Sequence, residues 1–401
     1  MTTSPLAGVE MAPRDPILGL TELFNADNNE LKVNLGVGVY YDDNGRVPLL
    51  GCVRQAEQQL ATEAKPRTYL PIDGLATYDQ AVRQLVFGVD SALDQQNRII
   101  TLQTLGGTGA LKVGADFLRR ICPDAQVWIS DPSWENHRGL FENAGFTVNV
   151  YPYYDATTHG VAFEAMTHCL HGLPAGSIVL LHACCHNPTG VDLSTEQWAE
   201  VISIVKKGDL IPFIDIAYQG LGDGIEPDAY AVRAFAEAIS PVFVANSFSK
   251  SFSLYGERVG GLSIVTQNAD EAARILSQVK RLVRTNYSNP PTHGGRATEM
   301  VLTTPELRAL WEKELGEMRD RIKAVRGDLV SRIRNIRSDF DFNFIVQQRG
   351  LFSYSGLSRA QVQQLRETYA LYAIDSGRIC VAAINSHNID YVARALASVL
   401  V

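Results

Sequence analysis

No stretch of about 18 apolar residues occurs in this 401-residue sequence, so no membrane-spanning helix is expected. No CxxC pair joins its six cysteines, at 52, 122, 169, 184, 185 and 380, and a chain of this length needs no covalent staples. Reduced thiols in a cytosolic protein are the expectation. No basic block stands out. The nearest, Arg332 with Arg334 and Arg337, is broken by Ile333 and Ile336 and reads as an exposed helix end. With a net charge of −8, nucleic acid is not an expected partner. The start, Met1-Thr2-Thr3-Ser4-Pro5, has no basic residue ahead of an apolar core, so no secretory leader is expected. Internal repeats and low-complexity tracts are missing as well.

What is present is ordinary globular material, 46% hydrophobic and 20% charged. The length suits two or three structural units, because single cores stop growing near roughly 250–300 residues. Residues 1–16, with Pro5, Pro13 and Pro16, read as an extended arm. The middle of the chain alternates short apolar runs with helical patterns. Strands are expected over 127–130, 147–153, 177–182, 210–217, 241–245 and 261–265, and helices over 111–120, 194–207 and 229–238. Near-continuous Val/Ile/Leu strands with helical crossovers argue for a largely parallel sheet covered on both faces. Further on, Leu307, Leu310, Trp311, Leu315, Met318, Ile322, Val325, Leu329 and Ile333 recur at steps of three and four. That pattern predicts one long amphipathic helix, or two in tandem, over 306–334. Beyond it, strands over 342–346 and 378–382 and a helix over 361–369 predict a second, smaller α+β unit.

Ligands of an open α/β sheet bind outside the carboxyl ends of its strands, and four such ends carry chemistry here. Gly106-Gly107-Thr108-Gly109-Ala110 opens a helix, where backbone N–H groups can receive an anion. Neither the Walker pattern nor the dinucleotide fingerprint fits it, and a tight turn is the other reading. His182-Ala183-Cys184-Cys185-His186-Asn187-Pro188-Thr189-Gly190 is either a strand end with its turn or a compact metal set, though without ordinary zinc spacing. Asp215 closes an apolar strand and needs a partner to offset its desolvation. A cationic ring nitrogen would serve; a helix cap or turn acid is the plainer alternative. Ser247, Ser249, Lys250 and Arg258 set an amine among hydroxyls and a guanidinium. That suits a phosphorylated aldehyde held as a Schiff base, against the alternative of a solvated surface lysine. Asp215 precedes Lys250 by 35 residues, the length of one crossover helix and one strand, so both can reach one sheet edge. Together these elements meet the needs of pyridoxal phosphate: an amine, an acid facing the pyridine nitrogen and a phosphate cradle. No metal is called for.

The same residues lie in longer runs: Asn34-Leu35-Gly36-Val37-Gly38-Val39-Tyr40, Cys184-Cys185-His186-Asn187-Pro188-Thr189-Gly190, Asp215-Ile216-Ala217-Tyr218-Gln219-Gly220, Ser249-Lys250-Ser251-Phe252-Ser253-Leu254-Tyr255-Gly256-Glu257-Arg258 and Asn286-Tyr287-Ser288-Asn289-Pro290-Pro291. In these the chain resembles the class I aminotransferases of fold type I, specifically the bacterial aspartate and aromatic amino acid aminotransferases. The likeness runs nearly end to end, from Asp15-Pro16-Ile17-Leu18 through Ser376-Gly377-Arg378. It implies an α/β fold with a large cofactor-binding domain at 47–317, built on a mostly parallel seven-stranded sheet between helices. A smaller α+β domain would combine 15–46 with 318–401, and an arm at 1–14 would reach a partner subunit in a homodimer with shared active sites.

The resemblance also implies roles. Lys250 would hold pyridoxal phosphate as a Schiff base and move the proton at the substrate α-carbon. Asp215 would pair with the protonated pyridine nitrogen, with His137 behind it. Tyr218 and Asn187 would bond the ring 3-oxygen, and Trp134 would stack on the ring. Gly107, Thr108, Ser247, Ser249 and Arg258 would hold the phosphate, with Tyr69 reaching it from the other subunit. Arg378 would clamp the substrate α-carboxylate beside Trp134 and Asn187. Gly38, with Ile17 and Leu18, would form an apolar lip, and the partner's copy of Arg284 would take a side-chain carboxylate. Asp131-Pro132 and Asn187-Pro188 would be cis.

Branch signals are mixed. Val39, Thr108 and Asn289 look like the aspartate branch, and Arg284 predicts activity on aspartate and glutamate; Tyr41, Val47, Leu70-Pro71 and the run from Ser249 look like the aromatic one. The expectation is a cytoplasmic enzyme that moves amino groups between aromatic or dicarboxylic amino acids and 2-oxo acids such as 2-oxoglutarate. A strict aspartate aminotransferase is the nearest alternative. A fold type I decarboxylase or aldolase would share Lys250 and Asp215, but Ser249 stands where many such decarboxylases carry histidine, and Arg378 favours keeping the α-carboxylate. A non-catalytic cofactor-binding regulator would need a DNA-binding module, and only 14 residues precede Asp15. A metal enzyme on His182, Cys184 and His186 is the remaining alternative.

Overall fold

A computed structural model describes residues 4–12 and 17–400; residues 1–3, 13 and 14 of the expected arm, Asp15-Pro16 and the side chain of Leu18 lie outside the described residues. Seven strands form the central sheet: β1 Ile99–Leu105, β2 Val127–Asp131, β3 Val148–Pro152, β4 Ile178–His182, β5 Ile211–Ile216, β6 Val242–Ser247 and β7 Val259–Val265. Their order across the sheet is β1-β7-β6-β5-β4-β2-β3. Strand β7 runs antiparallel to both neighbours, and the rest share one direction. Strands β4, β6 and β7 are buried along their whole length. Burial on both faces removes the in–out alternation, which is why they read as apolar runs. The sequence pattern misses β1, because Thr101, Gln103 and Thr104 interrupt it. Those polar side chains are bonded inside: Thr101 Oγ1 lies 2.8 Å from Ser263 Oγ, and Gln103 Nε2 donates to Pro291 O at 2.8 Å.

The helices follow their signals. Helix α1, Gly106–Ile121, begins directly after β1, and α2, Glu135–Asn143, follows β2. Thr195–Lys207 and Arg359–Tyr369 each start with a capping box, Ser194 with Gln197 and Ser358 with Gln361. Helix α3 spans Ala269–Asn286. Helix α4, Pro305–Ile336, is a single 32-residue helix whose proline stands in the first turn, where a missing N–H breaks no helical bond. On its inner face Arg326, not Val325, takes the buried position between Ile322 and Leu329.

Two further expectations are corrected. Residues 342–346 are not a strand. Asp341 Oδ1 accepts the Asn343 N–H at 2.9 Å and opens the helical turn Phe344–Gln347. The Phe342-Asn343-Phe344 alternation mimics a strand, but local bonds such as Ile345 N–H to Phe342 O occupy the backbone. The strand forms later, at Phe352–Tyr354, antiparallel to Arg378–Cys380. The expected strand over 378–382 therefore stops at Cys380, where the 3-10 turn Val381–Ala383 begins. In the expected arm, residues 4–12 are exposed and include a turn closed by Ala7 N–H to Ser4 O.

The reversal of β7 positions the site. Residues that follow β4, β5 and β6 emerge at one sheet edge, with Asp215 paired to His182 and Ala245. Because β7 runs the other way, with Gly260 opposite Ser247, the residue that precedes it, Arg258, arrives at that same edge. Among the described residues no helix is long and apolar enough to cross a membrane, and all six cysteines are free.

Candidate active site

A cavity of about 240 Å³ opens at this edge. Asp215 is buried on its floor, and His137 Nε2 lies 2.8 Å from Asp215 Oδ2. Burial opposes the charge on Asp215. The His137 hydrogen bond, with His137, His182 and Lys250 acting electrostatically, outweighs it and holds the carboxyl below its usual range. His137 is wholly buried on α2. Its other ring nitrogen, Nδ1, lies 3.0 Å from Ser133 Oγ, and that hydroxyl lies 3.3 Å from His182 Nε2. Burial drives His182 down to about 3, so it is neutral near pH 7.

Lys250 faces the cavity from the turn after β6. Burial lowers its amine to about 8; Asp215 pulls upward, and Arg258 and Arg378 push further down. An amine in that range is partly neutral at physiological pH, which a nucleophile or proton acceptor requires. Its Nζ stands 5.2 Å from the centre of the Tyr218 ring. Asn187 Nδ2 donates to Tyr218 Oη at 3.4 Å, and burial pushes that phenol well above its ordinary range.

At one end of the cavity, α1 presents a first turn with no side-chain cap and no acidic residue. Gly107, Thr108, Ser247, Ser249 and Arg258 meet there. Gly260 permits the approach, since a Cβ on it would lie 2.5 Å from the Gly106 carbonyl carbon. Arg258 adopts a left-handed φ of +56°, uncommon outside glycine. Its Nη1 donates to Tyr255 O at 2.8 Å and to Ser249 Oγ at 3.4 Å. A helix N-terminus, three hydroxyls and a guanidinium make a site for a doubly charged anion. A partly neutral amine, a fixed acid and an anion cradle in one cavity fit pyridoxal phosphate.

Arg378 is 1% exposed. Its Nη2 donates to Gly36 O at 2.6 Å and its Nη1 to Asn187 Oδ1 at 3.2 Å, while Nε is buried with no protein partner. The guanidinium sits 4.3 Å above the Phe352 ring. Trp134 lines the cavity, edge-on to His137 at 5.0 Å. Ile17 and Gly38 line the mouth, and a Cβ on Gly38 would lie 2.6 Å from Phe352 Cζ.

Two expected site residues stand outside. Tyr69 is 92% exposed. Arg284, in the last turn of α3, is exposed and bonded to Ser288 Oγ; with Ile72, Arg120, Lys280 and Arg281 it lines a separate hollow. Of the branch-marking residues, Thr108 lines the cavity, whereas Tyr41, Val47 and Asn289 do not. Phe352 and Leu111 line it unannounced by any chemical signal, and Cys184 of the His/Cys run lines it too. In the His/Cys run both histidines are engaged. His186 lies 2.9 Å from Ser130 Oγ and 2.8 Å from Thr189 Oγ1, and His182 Nδ1 accepts the Asn187 N–H at 3.4 Å. Cys184 instead neighbours Cys185 and Asp228, whose carboxylate accepts N–H groups from Gly220, Gly222 and Asp223. Asp131-Pro132 and Asn187-Pro188 are cis, as is Ser240-Pro241.

The family described as aminotransferase class I and II matches residues 30–396. The chain is 58% identical to an aspartate aminotransferase of Pseudomonas aeruginosa, over 99% of this chain and 100% of that protein. It is 52% identical to an aromatic-amino-acid aminotransferase of Escherichia coli, over 96% and 98%. Among solved structures it is similar to an aromatic-amino-acid aminotransferase from Burkholderia pseudomallei covalently bound to pyridoxal phosphate, with a TM-score of 0.98, 61% identity and full coverage of both chains.

Proposed function

The chain belongs to the class I and II aminotransferases, and from that premise we propose that it serves aspartate and the aromatic amino acids alike, exchanging their amino groups with 2-oxo acids such as 2-oxoglutarate. It is a pyridoxal-phosphate-dependent transferase, and the cofactor, when bound, supplies the reactive carbonyl and the electron sink. Lys250 would be the attachment point and then the base that takes the proton from the substrate α-carbon. Asp215, held charged by His137, would pair with the ring nitrogen. Tyr218 and Asn187 would bond the 3-oxygen, Trp134 would cover the ring, and Gly107, Thr108, Ser247, Ser249 and Arg258 would hold the phosphate. The unmet Nε of buried Arg378 supports its place as the α-carboxylate clamp. Holding that carboxylate favours transamination over loss of carbon dioxide.

The position of Arg284 carries the dual reading. It lies outside the cavity that this chain builds, so a side-chain carboxylate is met only when a second subunit brings that arginine. We infer a homodimer in the cytosol; exposed Tyr69, Val9 and Met11 support the association. Within it, 47–317 is read as the large domain, 15–46 with 318–401 as the small one, and 1–14 as the arm. The deciding experiment compares kcat/KM for aspartate, phenylalanine and tyrosine. The three are expected within about four orders of magnitude, roughly 5.5 kcal/mol. A wider gap in favour of aspartate makes this a strict aspartate aminotransferase.

A further inference from the structure

We propose that Arg326 is a positioning residue that sets the substrate-carboxylate clamp, acting on Arg378 through Phe352. The inference rests on Arg378 being the α-carboxylate site.

Arg326 is 1% exposed on the apolar inner face of α4, between Ile322 and Leu329. A leucine or methionine there would continue the helix face without desolvating a charge, so packing alone does not call for arginine. Burial lowers its pKa only to about 10, which leaves it a cation near pH 7. The acceptors it reaches all belong to one short segment, and none is a carboxylate. Nη2 donates to Gly350 O at 2.5 Å and to Phe352 O at 2.8 Å, and Nε donates to Ser353 Oγ at 3.2 Å. A planar fork can tie a turn in this way; an ammonium cannot reproduce it.

That segment is the wall of the active site. Gly350, at φ +77°, presses against Cys185 so closely that a side chain would collide with it. Phe352 pairs with Cys380 in the strand that carries Arg378. Its ring lies under the Arg378 guanidinium, meets Tyr218 edge-on at 6.1 Å and closes against Gly38 at the lip. One side chain on α4 therefore holds the carbonyl of the residue whose ring supports the clamp. The ring is shared by every substrate, because every substrate has an α-carboxylate.

The test measures KM and kcat for aspartate and for phenylalanine in Arg326→Met, Arg326→Lys, Phe352→Leu, the double variants and Arg378→Lys, with the absorbance of the bound cofactor followed against pH. Arg326→Met is expected to raise KM for both amino acids about 10- to 100-fold, with kcat changed less, as for lost binding shared by ground and transition states. The cofactor's pH curve stays in place, and Arg326→Lys recovers part of the loss. Phe352→Leu gives a similar KM effect, and adding the Arg326 change to it adds little, since the two act as one unit. An unchanged KM in a folded Arg326 variant, a loss confined to one substrate class, or additive effects in the double variant overturns the proposal. Should Arg326→Met fail to accumulate, the same cycle with Arg326→Lys decides. If Arg378→Lys raises KM and the Arg326 variants do not, this inference alone fails. If Arg378→Lys leaves KM unchanged, the reading of Arg378 fails with it.

Discussion

The floor of the cavity and its outer flank are built on different plans. On the floor, Asp215, His137, Ser133 and His182 form an unbroken chain of contacts within one polypeptide, and Lys250, Tyr218 and Asn187 stand over it. On the flank, Tyr69 and Arg284 project from the same polypeptide into open surroundings. The contrast separates two tasks. In the proposed reading, chemistry common to all amino acids is fixed inside a single chain, whereas the choice among them falls to Arg284, which the chain keeps outside its own cavity. Preorganised groups act most strongly where water is excluded, and the floor has that property while the flank acquires it only in the proposed dimer.

The comparison breaks most visibly at the floor. Lys250→Ala is expected to abolish transamination, a loss beyond the roughly 10²–10⁴ owed to a positioned proton-transfer group, because attachment is lost too. Steady-state turnover reads it, and normal turnover would remove Lys250 from its role. Asp215→Ala should lower kcat/KM by roughly 10²–10⁴, the equivalent of about 3–5 kcal/mol for breaking a buried charge pair. Some cofactor should stay bound, visible in the absorbance, and wild-type rates would take Asp215 out of the floor.

At the flank, Arg284→Ala should cost aspartate about 30-fold or more in kcat/KM, the lower range for a truncated charge pair, and leave phenylalanine nearly untouched. Equal losses for both substrates would dissolve the division between floor and flank. The smallest effect is a pH shift. In protein stripped of cofactor, reductive trapping of Lys250 by an aromatic aldehyde should rise with a midpoint at about 8. Asp215 raises that amine's pKa, so Asp215→Asn should move the midpoint down. An unmoved midpoint would mean that the charge on Asp215 is not felt at Lys250.

Legibility in the sequence followed the same line. Strands buried on both faces announce themselves as apolar runs, so β4, β5 and β6 are plain, and with them the exits that carry Asp215 and Lys250. Strand β1 hides behind Thr101 and Gln103, whose bonding partners are distant in sequence. Residues 342–346 mislead because alternation is a signal only when a neighbouring strand exists. Arg378 looks like any other arginine until the fold buries it, and His137 matters only because α2 swings it behind β5. Arg326 is the sharpest case. A periodicity count passes over a charged residue and selects Val325, yet the helix turn assigns the buried place to position 326. The resemblance supplied roles for residues that the pattern could not rank, but it carried no mention of Arg326 or Phe352.

The reversed strand β7 has one more consequence. The segments after β2, β4 and β5 pass into turns and helices and re-enter the sheet only at its opposite edge, as parallel strands. The segment that carries Lys250 leaves from β6 and returns to the adjacent strand, where Ser247 and Gly260 are cross-paired. It is a closed loop, pegged at both ends into one sheet, with the amine near its departure and Arg258 at its return. Its backbone has no free end by which to slide, so the reach of the amine is set by the torsions of one side chain, and any residue added between 250 and 258 must bulge outward rather than lengthen the arm.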